Sequence, residues 1–357
     1  MGLLVTYWRK ATIVLCLIGA FLYFGHFVSD FYPLKHWLFF TFLRCWLGCA
    51  LFLLASAVSG LFIVDRVLPR PPPLDERLLL SIGTGTLVFF WGMFVGGLLG
   101  VLGPVFFFAL PLLLLALGAK TAWRLWKRVR PRLARFGVQM FMPRSGVELA
   151  AALLLGVSVL AVYLDVITPL NVGADAHWYH LPMAEHYAAA GAIRPSPEGW
   201  YFFAFPHLAT ILYTWAYLAP GQLHDKIALC SHLEFTLLLV TLVGVSVLTR
   251  RLLGGRRHPF AAAAFFLFPG IFVYDSSLIT QADHVLAFWG CLLGVVLVRL
   301  GRDYIWNEAA LVGVMLAGAL LTRYQSIYYL IPTGLFVAVL AVYRRRWAPG
   351  ATWLLVS

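Results

Sequence analysis

Charged residues are scarce in this chain of 357 residues. They make up 12% of the sequence, whereas soluble globular proteins contain about 25%. The five cysteines are too few for a disulfide scaffold, and no two of them form a CxxC pair. Hydrophobic residues, in contrast, reach 62%. These proportions exclude a soluble domain, a disordered chain and a collagen-like chain, and they leave a polytopic membrane protein.

Long apolar runs take up most of the sequence. A helix that crosses the hydrocarbon core of a membrane needs about 20 mostly apolar residues. We therefore predict an all-α polytopic membrane protein with about ten transmembrane helices, the first of which is an uncleaved anchor. The predicted spans are 11–29, 38–64, 78–97, 104–119, 147–168, 227–248, 259–275, 284–300, 308–322 and 326–343. A further apolar run begins at Trp353.

The basic residues indicate which ends of the spans face the cytoplasm. When the N-terminus is placed inside, 22 of the 27 Lys and Arg residues fall on the inner side and five on the outer side. Cytoplasmic loops collect Lys and Arg, so we predict a cytoplasmic N-terminus. The densest basic stretch, 123–135, then lies between two spans, and we expect it to meet anionic lipid headgroups and no nucleic acid.

Polar side chains gather on the predicted outer face. The long outer loop, 169–226, contains four acidic and five histidine residues, and a second outer loop covers 275–284. Ionisable groups close to a bilayer are costly and usually functional. Within the long loop, segment 207–218 is apolar but too short to span. We predict that it is a helix in the outer interface, with its aromatic residues, Tyr213, Trp215 and Tyr217, at headgroup level.

Asp175 is the first candidate for chemistry. It can cap a short helix that runs through Ala190 and ends at Gly191. It can also be an exposed carboxylate that accepts a proton from a hydroxyl nucleophile or binds a divalent cation. The nearby residues His177, His180 and His186 do not by their spacing predict a zinc site, because zinc needs ligands that converge tetrahedrally.

Asp283 and Arg323 lie in the other two outer turns. Asp283 opens a span, where the helix dipole favours a carboxylate; alternatively, it shares one cavity with Asp175. Arg323 ends a span, so it either extends to the interface or holds an anionic group such as a phosphate. Each residue has a structural and a functional interpretation, and their common location on the outer face favours the functional one.

Four motifs follow one another along the second half of the chain. They are Asp175 with Tyr179-His180-Leu181-Pro182, then Phe205-Pro206, then Asp283 with Leu286-Ala287-Phe288, and finally a small-residue helix that ends in Thr322-Arg323-Tyr324. Over residues 147–343 their order resembles the GT-C membrane glycosyltransferases, which include protein O-mannosyltransferases and lipid A aminoarabinose transferases. The family usually has Lys at the position of Arg323. We expect N-terminal helices, 1–146, followed by a GT-C-like core, 147–357, that is incomplete at its C-terminus.

The resemblance implies transfer of a sugar from a polyprenyl-phosphate or polyprenyl-diphosphate carrier to a hydroxyl of a glycan, lipid or protein. The reaction inverts the anomeric carbon and occurs on the periplasmic or lumenal face, here of a bacterial inner membrane. Asp175 is then the general base, and Asp283 assists it through a hydrogen-bond network or a divalent cation, Mg or Mn. Arg323 binds the carrier phosphate. The other expected substrate-binding residues are His177, Tyr179, His180, His284 and Tyr324.

Two other functions remain open at this stage. A transporter or flippase of lipid-linked sugars agrees with ten spans and with the polar residues His232 and Glu234 inside one of them. Transporters usually contain inverted repeats, and the sequence shows none. A non-catalytic subunit is the third interpretation.

Overall fold

The computed structural model describes residues 2–33, 37–136, 143, 145–168, 172–195, 199–254, 259–267 and 280–344. Every regular element in these ranges is helical, which confirms the predicted all-α class for them. The α-helices are α1 Gly2–Val28, α2 Leu38–Val67, α3 Leu74–Leu98, α4 Pro104–Phe136, α5 Gly146–Ile167, α6 Leu181–Ala190, α7 Leu208–Tyr217, α8 Leu223–Leu253, α9 Pro259–Leu267, α10 Asp283–Asp303, α11 Trp306–Thr322 and α12 Ile327–Arg344. A π-helical turn, Ala176–His180, precedes α6, and 3₁₀ turns occupy Tyr201–Ala204 and Tyr324–Ser326.

Eight helices of the described part are long and apolar enough to cross a membrane. They are α1 to α5, α8, α10 and the helical stretch that ends with α12. Helix α11 has 17 residues and is shorter than this group, and α9 is described over nine residues. The rest of the predicted span 259–275, residues 275–279 of the second outer loop and the run from Trp353 lie outside the described residues. Membrane-spanning character is therefore supported, and the predicted number of ten spans is not confirmed.

The chain divides into two compact units, residues 1–47 and 48–357. In the first unit, the indole N–H of Trp37 donates to the carbonyl of Tyr32 at 2.8 Å, and the ring of Phe21 packs edge-on against Trp37 at 6.2 Å. Every side chain of α1 from residue 11 to residue 24 is exposed. An apolar surface of this kind suits a helix surrounded by lipid.

The second unit is built around α8, whose apolar part is 78% buried. Helix α8 packs against α7, α9 and α10, and α10 packs against α11. Helix α3 contacts α7, α8 and α11, so residues before 147 belong to the same core as those after it. The division into compact units falls at 47/48, and the predicted boundary at 146/147 stays a prediction from motif order.

Helix α7 corrects the predicted interfacial helix. It is helical and too short to span, as expected, but all ten of its residues are buried. The indole N–H of Trp215 donates to the carbonyl of Phe107 at 2.9 Å, and its ring stacks on Phe107 at 4.4 Å. Headgroup-level exposure of Tyr213, Trp215 and Tyr217 is therefore wrong. The apolar residues of α7 fill the space between α3, α6 and α8.

Glycines allow the helices of the second unit to approach closely. An added Cβ on Gly92 of α3 would lie 2.5 Å from Leu110 of α4, and one on Gly96 would lie 2.4 Å from Phe106, so these two glycines at four-residue spacing serve helix packing. At the crossing of α2 and α3 the contact is between backbones. A Cβ on Gly60 would lie 1.8 Å from the carbonyl oxygen of Ser81, and one on Gly85 would lie 1.7 Å from that of Ser56.

Replacement of Gly85 by Ala is expected to destabilise the protein. The added methyl meets backbone atoms that cannot rotate away, and overpacking of this kind costs about 1–3 kcal/mol. The matched control is Gly156→Ala in α5, where a Cβ meets nothing within 4 Å and Ala favours the helix. Denaturant unfolding in detergent micelles measures both variants. Equal stability of Gly85→Ala and Gly156→Ala would show that α2 and α3 do not cross at Gly85.

Candidate active site

The described part of the second unit contains two ion-pair clusters of three or more charged side chains. One cluster joins Asp175, Asp283 and Arg323, and the other surrounds Glu76 and Arg299. Asp283 and Arg299 both belong to α10, sixteen residues apart, so about 24 Å of helix separates the two clusters. This length is close to the thickness of a hydrocarbon core, about 30 Å. A separation of this length is compatible with the predicted assignment of the two clusters to the outer and the inner side.

Asp175 lies at the start of a helical run that continues through α6. The run includes the π turn, in which the N–H of Leu181 donates to the carbonyl of Ala176, five residues earlier. The carboxylate of Asp175 accepts no hydrogen bond from the helix backbone, so the capping interpretation does not hold. The predicted end of the run is confirmed, because Gly191 adopts a left-handed conformation with φ of 65°.

Arg323 joins the two candidate carboxylates. Its Nη1 donates to Oδ1 of Asp283, and its Nη2 donates to Oδ2 of Asp175 at 3.4 Å. The three residues are far apart in sequence, at separations of 40 and 148 residues. The predicted proximity of Asp175 and Asp283 is thus supported by a shared guanidinium. We refer to Asp175, Arg323 and Asp283 as the acidic bridge.

The acidic bridge is open to ligands on its carboxylate side. The side chains of Asp175 and Asp283 are 37% and 47% exposed, whereas that of Arg323 is 20% exposed. Two carboxylates against one guanidinium give the bridge a formal charge of −1. An incoming group therefore meets accessible carboxylate oxygens first, and a second anion has to compete with them for Arg323.

Three aromatic residues, Tyr179, Phe202 and Phe205, pack together beside Asp175 and form what we call the aromatic wall. The hydroxyl of Tyr179, one helical turn later, donates to Oδ2 of Asp175 at 3.2 Å. The ring of Tyr179 lies parallel to that of Phe202 at 4.8 Å, and Phe205 packs edge-on against Tyr179 at 6.1 Å. Burial, and after it the charge of Asp175, raises the pKa of Tyr179 above its usual value. The phenol therefore stays protonated and keeps donating to the carboxylate.

His180 lies behind this wall. It is 2% exposed, and its Nδ1 is 2.9 Å from the hydroxyl of Thr210 in α7. Burial, and after it the positive charge of Arg323, lowers the pKa of His180 to about 3. The ring is therefore neutral at physiological pH and joins the Asp175 helix to α7. This position favours a supporting role over direct contact with substrate.

The depressed pKa of His180 predicts a loss of stability in mild acid. The unfolded chain binds a proton near pH 6.5 and the folded chain only near pH 3, so stability falls as pH decreases between these values. Between pH 8 and pH 5.5 the loss is about 1.4 kcal/mol. Unfolding of the wild type and of His180→Asn, measured in micelles at both pH values, isolates this contribution. An identical pH dependence in the two proteins would contradict the assignment.

The remaining predicted site residues differ in their exposure: two of them are exposed and one is buried. His177 is exposed next to Asp175, and Tyr324, at 59% exposure, packs against Phe205 at 5.6 Å. His284, in the first turn of α10, is 3% exposed. Tyr324 thus lies at the exposed edge of the site, His177 is exposed two residues from Asp175, and His284 is buried beside Asp283 in sequence.

Two parts of the surroundings are not marked by the sequence. Thr210, which contacts His180, is one of several hydroxyl residues in an apolar segment, and Phe202 belongs to a general aromatic cluster. Glu234 is visible as a carboxylate inside a span, but its partners are backbone groups of Thr280 and Gln281, which the sequence does not identify. A periodic pattern locates helices but gives no signal for contacts between distant segments.

A divalent cation at Asp175 and Asp283 is an expectation of the family resemblance. In the structure the guanidinium of Arg323 already contributes a positive charge to both carboxylates. Across the described ranges no group of three or more His, Cys, Asp or Glu side chains is arranged to hold a metal. These residues fit an arginine-bridged pair of carboxylates better than a cation site.

Comparison with protein-family models, with curated proteins and with solved structures finds no significant match to this chain. The GT-C resemblance thus stays a prediction from motif order. The functional conclusion rests on the residues that the fold brings together at the acidic bridge.

Proposed function

We propose that the protein is an integral-membrane glycosyltransferase of the GT-C type, which moves a sugar from a polyprenyl-phosphate carrier to an acceptor hydroxyl with inversion. The observation that carries the proposal is the acidic bridge itself. Its three members come from the three predicted outer segments, and the fold joins them by direct contacts. Ionised side chains that converge near a membrane surface are typical of functional sites.

Exposed aromatic residues support a position of the site at headgroup level. Trp178, Tyr201, Tyr324 and Tyr328 surround or follow the site residues in sequence and are between 59% and 72% exposed. Tyr and Trp are enriched where membrane and water meet, because their rings combine an apolar body with a polar tip. A carrier lipid in the bilayer presents its phosphate at this depth, within reach of Arg323.

In the proposed reaction Asp175 takes the proton of the acceptor hydroxyl. The hydroxyl oxygen attacks the anomeric carbon on the side opposite the carrier, and a new C–O bond forms there. The bond from the anomeric carbon to the phosphate oxygen breaks, and its electron pair leaves with the carrier phosphate. Arg323 stabilises the charge that develops on this phosphate. General-base assistance of this kind contributes about 10²- to 10⁴-fold to the rate.

The contacts of Arg323 suggest how substrate prepares the base. The 3.4 Å contact with Asp175 is longer than an ordinary charge-assisted hydrogen bond of about 2.8 Å. A carrier phosphate that binds the guanidinium competes first with this weaker contact, while Asp283 retains the other arm of Arg323. Asp175 is thereby released towards the acceptor hydroxyl at the moment the donor is in place.

Reconstituted protein and a panel of radiolabelled polyprenyl-phosphate sugars test the proposal. The liposomes also contain an envelope fraction as the source of lipid, glycan and protein acceptors. We expect label to leave the carrier and to appear on an acceptor through a bond of inverted configuration. Label that remains on the carrier throughout the assay contradicts a transferase.

The alternative function is transport or flipping of a lipid-linked sugar. It is motivated by the buried polar residues Glu234 and His232 in α8. In the structure Glu234 binds backbone N–H groups, and His232 contacts the hydroxyl of Tyr163 at 3.2 Å and the carbonyl of Ala228 at 2.7 Å. These contacts tie polar groups to the protein itself. Movement of unmodified carrier-linked sugar between leaflets in the same liposomes would favour the alternative.

A further inference from the structure

We propose that Glu234 is a positioning residue of the acidic bridge, because it holds the backbone segment from which Asp283 projects. Glu234 lies on α8 and is 1% exposed. Its Oε2 accepts a hydrogen bond from the N–H of Thr280 at 2.7 Å, and its Oε1 lies 3.4 Å from the N–H of Gln281. A buried carboxylate in a membrane helix is costly unless its oxygens are satisfied, and these two backbone groups satisfy them.

Two more side chains fix the same segment. The hydroxyl of Tyr213 on α7 donates to the carbonyl of Gln281 at 2.6 Å. The hydroxyls of Ser231 and Thr280 lie 2.8 Å apart, in a buried contact between α8 and the segment. The segment is thus held at both N–H groups, at one carbonyl and at one side chain, all by residues of the two helices that form the core behind the site.

The backbone conformation of Thr280 indicates that these contacts constrain the segment strongly. Its φ is 62°, in the left-handed region that a β-branched residue rarely adopts. A conformation of this kind persists only when the surroundings impose it, and it occurs preferentially at functional sites. The groups that contact Thr280 directly and hold it in this conformation are the carboxylate of Glu234 and the hydroxyl of Ser231.

The fixed segment leads straight into the acidic bridge. Ala282, which follows Gln281, is 1% exposed, and its carbonyl accepts the N–H of Leu286 at 2.8 Å in the first turn of α10. Asp283 begins α10 and binds Arg323. The path from Glu234 to the site therefore covers three consecutive residues, each buried or hydrogen-bonded. Loss of the anchor shifts Asp283 and, through it, the guanidinium of Arg323.

This inference rests on the proposed transferase function for its kinetic part, and a structural readout tests it separately. The variant is Glu234→Gln, in which an amide NH₂ replaces one acceptor oxygen and faces a backbone N–H. The control is Thr241→Val on the same helix, which removes a buried hydroxyl that donates to the carbonyl of Leu237 at 2.8 Å. Amide hydrogen exchange of residues 280–288 is measured for the full-length protein in lipid nanodiscs, together with kcat and KM for the donor.

We expect exchange at Thr280 and Gln281 to become at least about tenfold faster in Glu234→Gln and to stay unchanged in Thr241→Val. For the enzyme we expect kcat to fall roughly 100-fold, the effect of about 1 Å of misplacement, while the KM for the donor changes little. Unchanged exchange overturns the inference whether or not sugar is transferred. Faster exchange with unchanged kcat overturns the positioning role. A wild-type protein without transferase activity overturns the proposed function, and exchange then still decides whether Glu234 anchors the segment.

Discussion

Replacement of Asp175 by Asn is expected to reduce sugar transfer by about 100- to 10,000-fold, the range that a general base contributes. The amide keeps the size of the side chain and can still accept the hydroxyl of Tyr179, which lies 3.2 Å from the carboxylate. It has no capacity to take a proton from the acceptor. Because Arg323 retains Asp283, the variant is expected to fold and to bind donor. Single-turnover transfer from a radiolabelled polyprenyl-phosphate sugar measures the loss.

The matched control for this prediction is Glu185→Gln. Glu185 lies on α6, ten residues after Asp175 along the same helical run, and is exposed. Its replacement removes one negative charge from the same predicted outer loop and leaves the three residues of the acidic bridge unchanged, so transfer is expected to stay close to the wild-type rate. Transfer by Asp175→Asn within a few-fold of the control, at equal amounts of folded protein, would rule out Asp175 as the base.

The sequence alone identifies the residues of the acidic bridge, for one physical reason. Charged groups are rare in an apolar chain, and those on the outer side of the predicted topology are few enough to examine one by one. Asp283 and Arg323 stand out because each lies where a predicted span begins or ends, and Asp175 stands out because it precedes a short helix in the long outer loop. Their contacts, however, depend on how α6, α10 and α11 pack, and no local pattern encodes packing between segments that are 148 residues apart.

Helix α7 shows that amino-acid composition does not predict where an apolar helix lies. Its length and its aromatic residues predict an interfacial helix, since Trp and Tyr favour the headgroup region. The same residues also suit a protein core in which backbone carbonyls replace water as partners, as Phe107 does for Trp215 and Gln281 does for Tyr213. Both environments accommodate a side chain with an apolar ring and one polar group, so the sequence does not distinguish a headgroup position from a buried one. Trp178 and Tyr324, which are exposed, suit the headgroup region better than the buried residues of α7 do.

The opposite end of the helices contains an ion network whose charges the sequence assigns to the inner side without identifying the pairs. Nε of Arg299 donates to Oε2 of Glu308 at 2.9 Å, and its Nη1 donates to Oε2 of Glu76 at 3.2 Å. Arg251 adds a second guanidinium to Glu76, with Nη2 at 2.5 Å from Oε2. Glu76 and Glu308 are each 1% exposed and Arg299 is 6% exposed. The network joins α3, α8, α10 and α11.

Replacement of Arg299 by Met is expected to lower the free energy of unfolding by about 3–5 kcal/mol, the cost of leaving a buried charge without its partner. Glu76 retains Arg251, so the penalty falls mainly on Glu308, whose two carboxylate oxygens each accept a hydrogen bond from Arg299. Arg302→Met, one turn later on α10 and exposed, removes the same charge and one exposed hydrogen bond, from Nη2 to the carbonyl of Arg251 at 3.0 Å, and is expected to cost about 1 kcal/mol. Denaturant unfolding in mixed micelles measures both.

The double variant Arg299→Met with Glu308→Leu separates the charge from the packing of the side chain. If the instability of Arg299→Met arises from the unpaired carboxylate, removal of that carboxylate restores most of the lost free energy, because a buried ion pair can be replaced by apolar residues at little cost. If the double variant is as unstable as Arg299→Met, the loss comes from packing around Arg299 instead. In that case the ion network is not what holds α10 and α11 together at this end.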